Sequence, residues 1–505
     1  MAEETRSPGR GAPGAGAAPP PGAVAAADLV RNGKLAATHP PRPSPARAPR
    51  GRSPAAGRYV RPVGVGSAGF WLSKTLHRLS RVRRSALMFL AVLGPGLITM
   101  VADNDAGGIS TYAVTGAQYG FNMLWILLLL LPIAYYVQEM TVRLGAVTKR
   151  GHAEVIFEGF GKFWGWFSVF DLAVVNWLTL ITEYIGMTAA MSIFGVPEWI
   201  TYLVVTVVLT LVVMTGRYWT FEKLTLLFCA FNLVYIPAAF WAMRSPTVPG
   251  WGAVADGFFR PVFPGGMTAG LLFVILANIG TTITPWQIFF QQSSVVDKGL
   301  DIKHIRYGKW DTFVGAFLTC LVAAFIIIAT SAAFHFHQPP ITVEDAKQTA
   351  QAIAPLIPHH GQLARTLFAI GLFDAGFLGA LCISLSSSWA VGELFGWAHS
   401  LNTSVRDAPW FYVAYVALLL TSGAVVLIPG APLVQITMYV QIVAVTLLPA
   451  SLLFLILLLN DEGFMGEYTN TRWQNIANWS IVIGLILIST LFAASTLFPG
   501  LMSWL

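Results

Sequence analysis

The chain has 505 residues, 55% hydrophobic and 11% charged, with 33 Phe and 17 Trp, which excludes a soluble globule and indicates a polytopic membrane protein. Its formal charge of +7 does not imply a nucleic-acid partner, because 15 of the 31 Lys and Arg fall within residues 1–84. Cys229, Cys320 and Cys382 each lie inside an apolar run without CxxC spacing, so neither a disulfide framework nor a zinc site is indicated and they read as packing residues.

Residues 1–70 are rich in Ala, Pro and Arg and lack the apolar periodicity that offsets ordering entropy, which predicts a disordered cytoplasmic tail. Its apolar stretches are short and alanine-based, unlike a cleaved signal peptide. Residues 71–85 form a basic juxtamembrane segment, read either as a short helix on anionic headgroups or as a solvated positive flank. A transmembrane domain is expected over 86–500. Its apolar runs lie near 86–113, 121–144, 164–194, 198–215, 219–243, 267–296, 309–334, 364–397, 409–429, 431–459 and 476–499, and a run of about 20 residues spans a hydrocarbon core of about 30 Å. Outside the tail, twelve Lys and Arg fall in loops on the tail's side and four on the other. That bias places the N-terminus in the cytoplasm and, with an odd number of spans, the C-terminus outside the cell (inner) membrane.

Two spans are interrupted. The first carries Gly94-Pro95-Gly96 and then DNDAGG at 103–108, and the sixth carries Gly280 and Thr284-Pro285-Trp286. Lying five spans apart, the breaks define two halves, 86–243 and 267–459, with 476–499 as an additional helix. Paired breaks of this kind indicate an inverted-repeat transporter whose unwound segments expose backbone carbonyls near the midplane. A carboxylate there is costly unless paired, so a cation is the natural partner for Asp103 or Asp105, with Asp105 favoured. The plainer reading, in which these residues cap the half-helix that follows, is compatible with ion binding.

The run GPGLITMVADNDAGGISTYAVTGAQYGFNMLW resembles the opening of the Nramp family of divalent-metal transporters, which has GPG, eight residues, Asp-Pro-Gly-Asn and then GAQYG. Eight residues after Gly96 comes Asp105. TEYIG at 182–186, TPWQIFFQQSS at 284–294 and Gln441 with Pro449 extend the resemblance over about residues 86–500. It implies an all-α, LeuT-like 5+5 inverted repeat with broken helices 1 and 6 and about eleven transmembrane helices. It also implies a metal site made by Asp105, the backbone carbonyls of Ala102 and Thr281, Gly108, Thr284 and Gln441, with Asp103, Asn104, Glu183, Trp286 and Asp374 behind them.

Departures from the family pattern bear on the ion. Gly108 replaces the family's asparagine and Thr284 its methionine, which exchanges a soft ligand for a hydroxyl and vacated volume suited to a hard, partly hydrated ion. Trp286 stands at the family's histidine and Leu180 at an aspartate, and neither titrates. The chain therefore looks like the Nramp-related magnesium transporter branch, importing Mg²⁺ and also Mn²⁺ without proton coupling and with no cofactor beyond the transported ion. The alternatives are a proton-coupled Mn²⁺/Fe²⁺ importer and a sodium-coupled organic-solute symporter on the same fold. The expected partners are the metal ion and the lipid bilayer, and the oligomeric state is left open, a monomer included.

Other acids have plainer readings. Asp374 either enlarges the polar cavity or pairs with a buried polar group between helices. Asp171, Glu139 and Glu393 lie near expected helix ends and read as interfacial, while Glu222 and Asp311 flank loops, with Lys223 and Lys309 as solvated partners. His335, His337, His359 and His360 border an outside loop, where VEDAKQTAQAIAPLI reads as a short amphipathic helix. No phosphate loop or nucleophile elbow appears, and an enzyme is not expected.

Overall fold

The computed structural model describes residues 85–337 and 361–497. The expected tail, residues 71–84, the outer amphipathic helix, His359 and His360 lie outside the described residues. Among the described residues all regular structure is helical.

The helices are α1 (Pro95–Val101), α2 (Ala106–Tyr119), α3 (Trp125–Thr148), α4 (His152–Phe160), α5 (Lys162–Ser192), α6 (Glu198–Met214), α7 (Tyr218–Phe231) and α8 (Tyr235–Ala242). The chain continues with α9 (Trp251–Phe259), α10 (Ala269–Thr282), α11 (Pro285–Asp297), α12 (Ile305–Thr330), α13 (Gly361–Phe395), α14 (Pro409–Gly423), α15 (Leu433–Asn460) and α16 (Arg472–Leu497). Among the described residues, nine helical segments are long and apolar enough to cross a membrane by length and composition. The interrupted pair α1/α2 and the shorter apolar α6 complete the eleven segments predicted from the sequence.

Both interruptions fall where the sequence places them; the helix restarts at Ala106, capped by Asp105, after the first and at Pro285 after the second. Pro95 and Pro285 occupy the first turns of α1 and α11, where a missing N–H costs nothing. The expected first span, however, also bends before α1: residues 85–92 are helical and Gly94 adopts φ 150°, a conformation open to glycine. Pro132 and Pro449 stay inside α3 and α15, as packed membrane helices allow.

The centre of the molecule follows from burial. In the α10/α11 span 83% of the apolar window is buried, against 17% for α16, so the second break lies at the core and the additional helix at the periphery. Around that core α13 packs along α5, α12 against α1, α2 and α3, and α10 against α15. Exposed large apolar residues such as Leu128, Leu211 and Leu487 form the lipid-facing surface. The three cysteines are buried and unbridged.

Candidate metal-ion site

Each break frees one carbonyl by diverting the N–H that a continuous helix would give it. In the first, the Ala106 N–H donates to Glu183 Oε2 at 3.0 Å instead of to Ala102. In the second, the donor for Thr281 would be residue 285, a proline with no N–H. Thr284 N donates to Gln287 Oε1 at 3.2 Å. Among the described residues no N–H reaches the carbonyl of Ala102 or Thr281. The two breaks thus present equivalent, unpaired oxygens.

Asp105 is the N-cap of α2, its Oδ1 accepting from Gly108 N at 2.7 Å. The capping reading is realised, and the Asp105 carboxyl also meets the Glu183 carboxyl in a side-chain hydrogen bond. Close approach brings the other elements in. A Cβ on Gly107 would stand 2.4 Å from Gln441 Nε2 and 3.0 Å from Thr182 Oγ1, and one on Gly108 would stand 2.9 Å from Thr281 Oγ1. Gly379 of α13 lies against both Glu183 Oε2 and Asp105 Cβ, at 2.7 and 2.9 Å from its Cβ position. Asp105, Gly108, Thr281 and Gln441 therefore meet at one place, built from α2, α10 and α15.

Unsatisfied polar atoms mark the same place. Thr281 Oγ1, Thr284 Oγ1 and Gln441 Nε2 are buried without a hydrogen-bond partner. Buried polar atoms are normally paired; here the two threonine oxygens are unused acceptors, and Gln441 Nε2 is an unused donor beside Gly107.

The remaining predicted residues have different surroundings. Asp103 turns toward α11 and accepts from Gln287 Nε2, while Gln287 Oε1 accepts from Gln138 Nε2 at 3.2 Å. Asn104 Nδ2 donates to Thr319 O at 3.2 Å, tying the loop to α12. Glu183 is fully engaged, its Oε1 taking the Thr182 hydroxyl at 3.0 Å. Trp286 is buried in contact with Phe290, with ring centroids 6.0 Å apart. Asp374 does not join the cluster: its Oδ2 accepts from Asn232 Nδ2 at 3.2 Å. Gly107, Thr182 and Gly379 were not singled out as site residues, although Gly107 and Thr182 stand inside the quoted motifs.

Several sequence readings need correction. At Gly108 the vacated side-chain volume is not free, since a Cβ would also stand 2.8 Å from the Asp103 carbonyl; the glycine serves close approach. Glu139 is not interfacial but buried between Arg143 (3.1 Å) and Lys309 (2.7 Å). Asp171 is buried within α5. Glu393 is buried too, accepting from Ala153 N at 3.0 Å and Ser293 Oγ at 2.6 Å. Glu222 pairs with Lys298 at 2.5 Å, not with solvated Lys223. Asp311 accepts from the N–H groups of Gly94, Gly96 and Leu97 at 3.2, 2.7 and 3.1 Å. His335 bonds the Ala117 carbonyl at 3.2 Å. For Glu139, Glu222, Asp311 and Glu393 the burial is tolerated because a donor from a distant part of the chain reaches the carboxylate.

A multi-pass helical bundle with two central breaks has the architecture of a membrane transporter. The sequence model of the family described as natural resistance-associated macrophage protein-like matches residues 96–495. The divalent metal cation transporter MntH of Klebsiella pneumoniae (strain 342) is 23% identical over 405 residues, 80% of this chain and 94% of its own. MntH of Yersinia pestis (strain Pestoides F) is 25% identical over 397 residues, 78% and 92% of the two chains. A crystal structure of the Eremococcus coleocola manganese transporter in complex with an aromatic bis-isothiourea substituted compound shares the fold, with a TM-score of 0.65, 21% identity and coverage of 81% and 88%. The chain belongs to the Nramp family.

Proposed function

We propose that this chain imports divalent metal cations through the site between the two breaks, Mg²⁺ foremost and Mn²⁺ as well, partly hydrated and without proton coupling. Transport of divalent cations rests on the family and on relatives named for that activity; the choice of ion, its coupling and the site residues are the proposal. The observation that carries it is the donor set. Asp105, the carbonyls of Ala102 and Thr281, the hydroxyls of Thr281 and Thr284 and the Gln441 amide include no sulfur. Hard oxygen donors with a single carboxylate suit Mg²⁺, which keeps several waters. The Lys and Arg distribution supports a cytoplasmic N-terminus, an outside C-terminus and residence in the cell (inner) membrane.

Selectivity is tested by restoring the family's residues. Thr284→Met adds a soft ligand and should shift the Mn²⁺-to-Mg²⁺ uptake ratio about tenfold toward Mn²⁺. Adding Gly108→Asn, which must displace the Asp103 carbonyl or the Thr281 hydroxyl, should enlarge the shift beyond either change alone. An unchanged ratio in folded double-variant liposomes counts against the assignment.

The absence of coupling is supported by Leu180 and Trp286, which carry no titratable group. A 100 mV inside-negative potential acting on two charges contributes about 4.6 kcal/mol, enough to drive accumulation. Liposomes loaded with a pH-sensitive dye should show Mg²⁺ entry that grows with this potential and leaves internal pH unchanged. Acidification requiring both metal and active protein would return the chain to proton-coupled import.

A further inference from the structure

A second polar constellation lies between α13 and the junction of α7 with α8. Asn232 begins a 3₁₀ turn, Asn232–Val234, that interrupts this transmembrane segment. Its Nδ2 donates to Asp374 Oδ2 at 3.2 Å. Three residues along, Tyr235 approaches the same face of α13, where a Cβ on Gly371 would stand 2.9 Å from its hydroxyl. The spacing of three on both elements sets Asn232 and Tyr235 opposite Gly371 and Asp374.

The oxygens of this constellation are under-used. Asp374 Oδ1, Asn232 Oδ1 and Tyr235 OH have no hydrogen-bond partner, and the three residues are 4%, 0% and 4% exposed. A neutral packing pair would not need this: an amide and a carboxyl placed only to join two helices leave no reason for a third unpaired oxygen beside them. Among the described residues no Lys, Arg or His forms an ion pair with Asp374. A carboxylate, an amide oxygen and a phenol oxygen lacking a counter-charge constitute a hard-donor set.

The position relative to the central site gives the constellation its meaning. Gly379, which touches Asp105 and Glu183, lies five residues further along α13, about 7–8 Å of helix rise. Asp374 lies toward the Gly361 end of α13, the end away from the expected cytoplasmic side. We propose that Asp374, Asn232 and Tyr235 form a second divalent-cation site, a waypoint at which the incoming ion, still carrying waters, is held before it reaches Asp105. The waypoint rests on the import reading above, and the 3₁₀ interruption at Asn232 lets α7 and α8 adjust around the ion.

Mn²⁺ titration of the full-length purified protein, read by electron paramagnetic resonance, tests the two sites separately. Wild type should bind two ions and Asp105→Ala one. That remaining ion should be lost in Asp105→Ala/Asp374→Asn and bound roughly tenfold more weakly in Asp105→Ala/Tyr235→Phe. Asp374→Asn and Tyr235→Phe in the Asp105 background should retain the central ion, which shows that both variants fold. No residual ion in Asp105→Ala at millimolar Mn²⁺, or a residual ion indifferent to Asp374→Asn, overturns the waypoint while leaving the central site standing. Two ions in Asp105→Ala, one of them lost on adding Asp374→Asn, would support the waypoint and overturn the central assignment instead.

Discussion

Asp105→Ala removes divalent-cation uptake and lowers Mg²⁺ affinity by roughly 100-fold or more, the scale expected when one member of a buried charge pair is deleted. Asp105 is the carboxylate that stands with Gly108, Thr281 and Gln441 where α2, α10 and α15 meet, whereas Asp103 turns an oxygen to Gln287 and Glu183 holds Ala106 N. The variant also loses an N-cap, worth about 1 kcal/mol to α2, so impaired folding has to be separated from a lost ligand. Asp105→Asn makes the separation. Asparagine caps as well as aspartate but carries no charge, so this variant should match wild type in thermal unfolding and in size-exclusion profile yet bind Mg²⁺ about as poorly as the alanine variant. Wild-type affinity by calorimetry in either variant would sink the central site.

The breaks were legible because they violate their surroundings. Gly, Pro and acidic residues inside a long apolar run have few uses other than unwinding and coordination, and the equal spacing of the two runs exposes the repeat. Asp105, Thr281, Thr284 and Gln441 followed from the family resemblance, and the structure brings Asp105, Thr281 and Gln441 into one small volume. What stayed illegible was pairing at long range. Glu222 stands beside Lys223 in sequence but meets Lys298, 76 residues away, while Asp311 serves Gly96, 215 residues away. Local charge patterning finds partners within a helical turn or two and is blind to these. Gly108 illustrates the other limit, since a missing side chain reads equally as free volume or as close approach until the facing atoms are known.

Those long-range pairs carry the second large prediction. The entry to α1 is fastened from both sides: Lys298 Nζ donates to the carbonyls of Val92 and Leu93 at 3.1 and 2.8 Å and to Glu222 Oε1 at 2.5 Å, while Asp311 takes the N–H groups of Gly94, Gly96 and Leu97. The Lys298 and Glu222 side chains are 3% and 2% exposed, and Lys298 is the cation recorded against Glu222 among the described residues. Gly94 is required between them, because a Cβ there would stand 1.8 Å from Glu222 Oε1. Lys298→Met leaves a buried carboxylate without its cation and should destabilise the protein by about 3–5 kcal/mol. Glu222→Gln removes the lone charge, so Lys298→Met/Glu222→Gln should recover part of the loss and be more stable than Lys298→Met alone, the non-additivity expected of direct partners. Because α1 ends at the break that presents Ala102, loosening its entry should also raise the reactivity of a cysteine introduced at Val92 toward a membrane-impermeant thiol reagent added on the side where α1 begins. Thermal unfolding of the four proteins and labelling of the cysteine variants measure the two effects. Strictly additive losses, with labelling unchanged by Lys298→Met, would mean that the pair only packs and does not fasten α1.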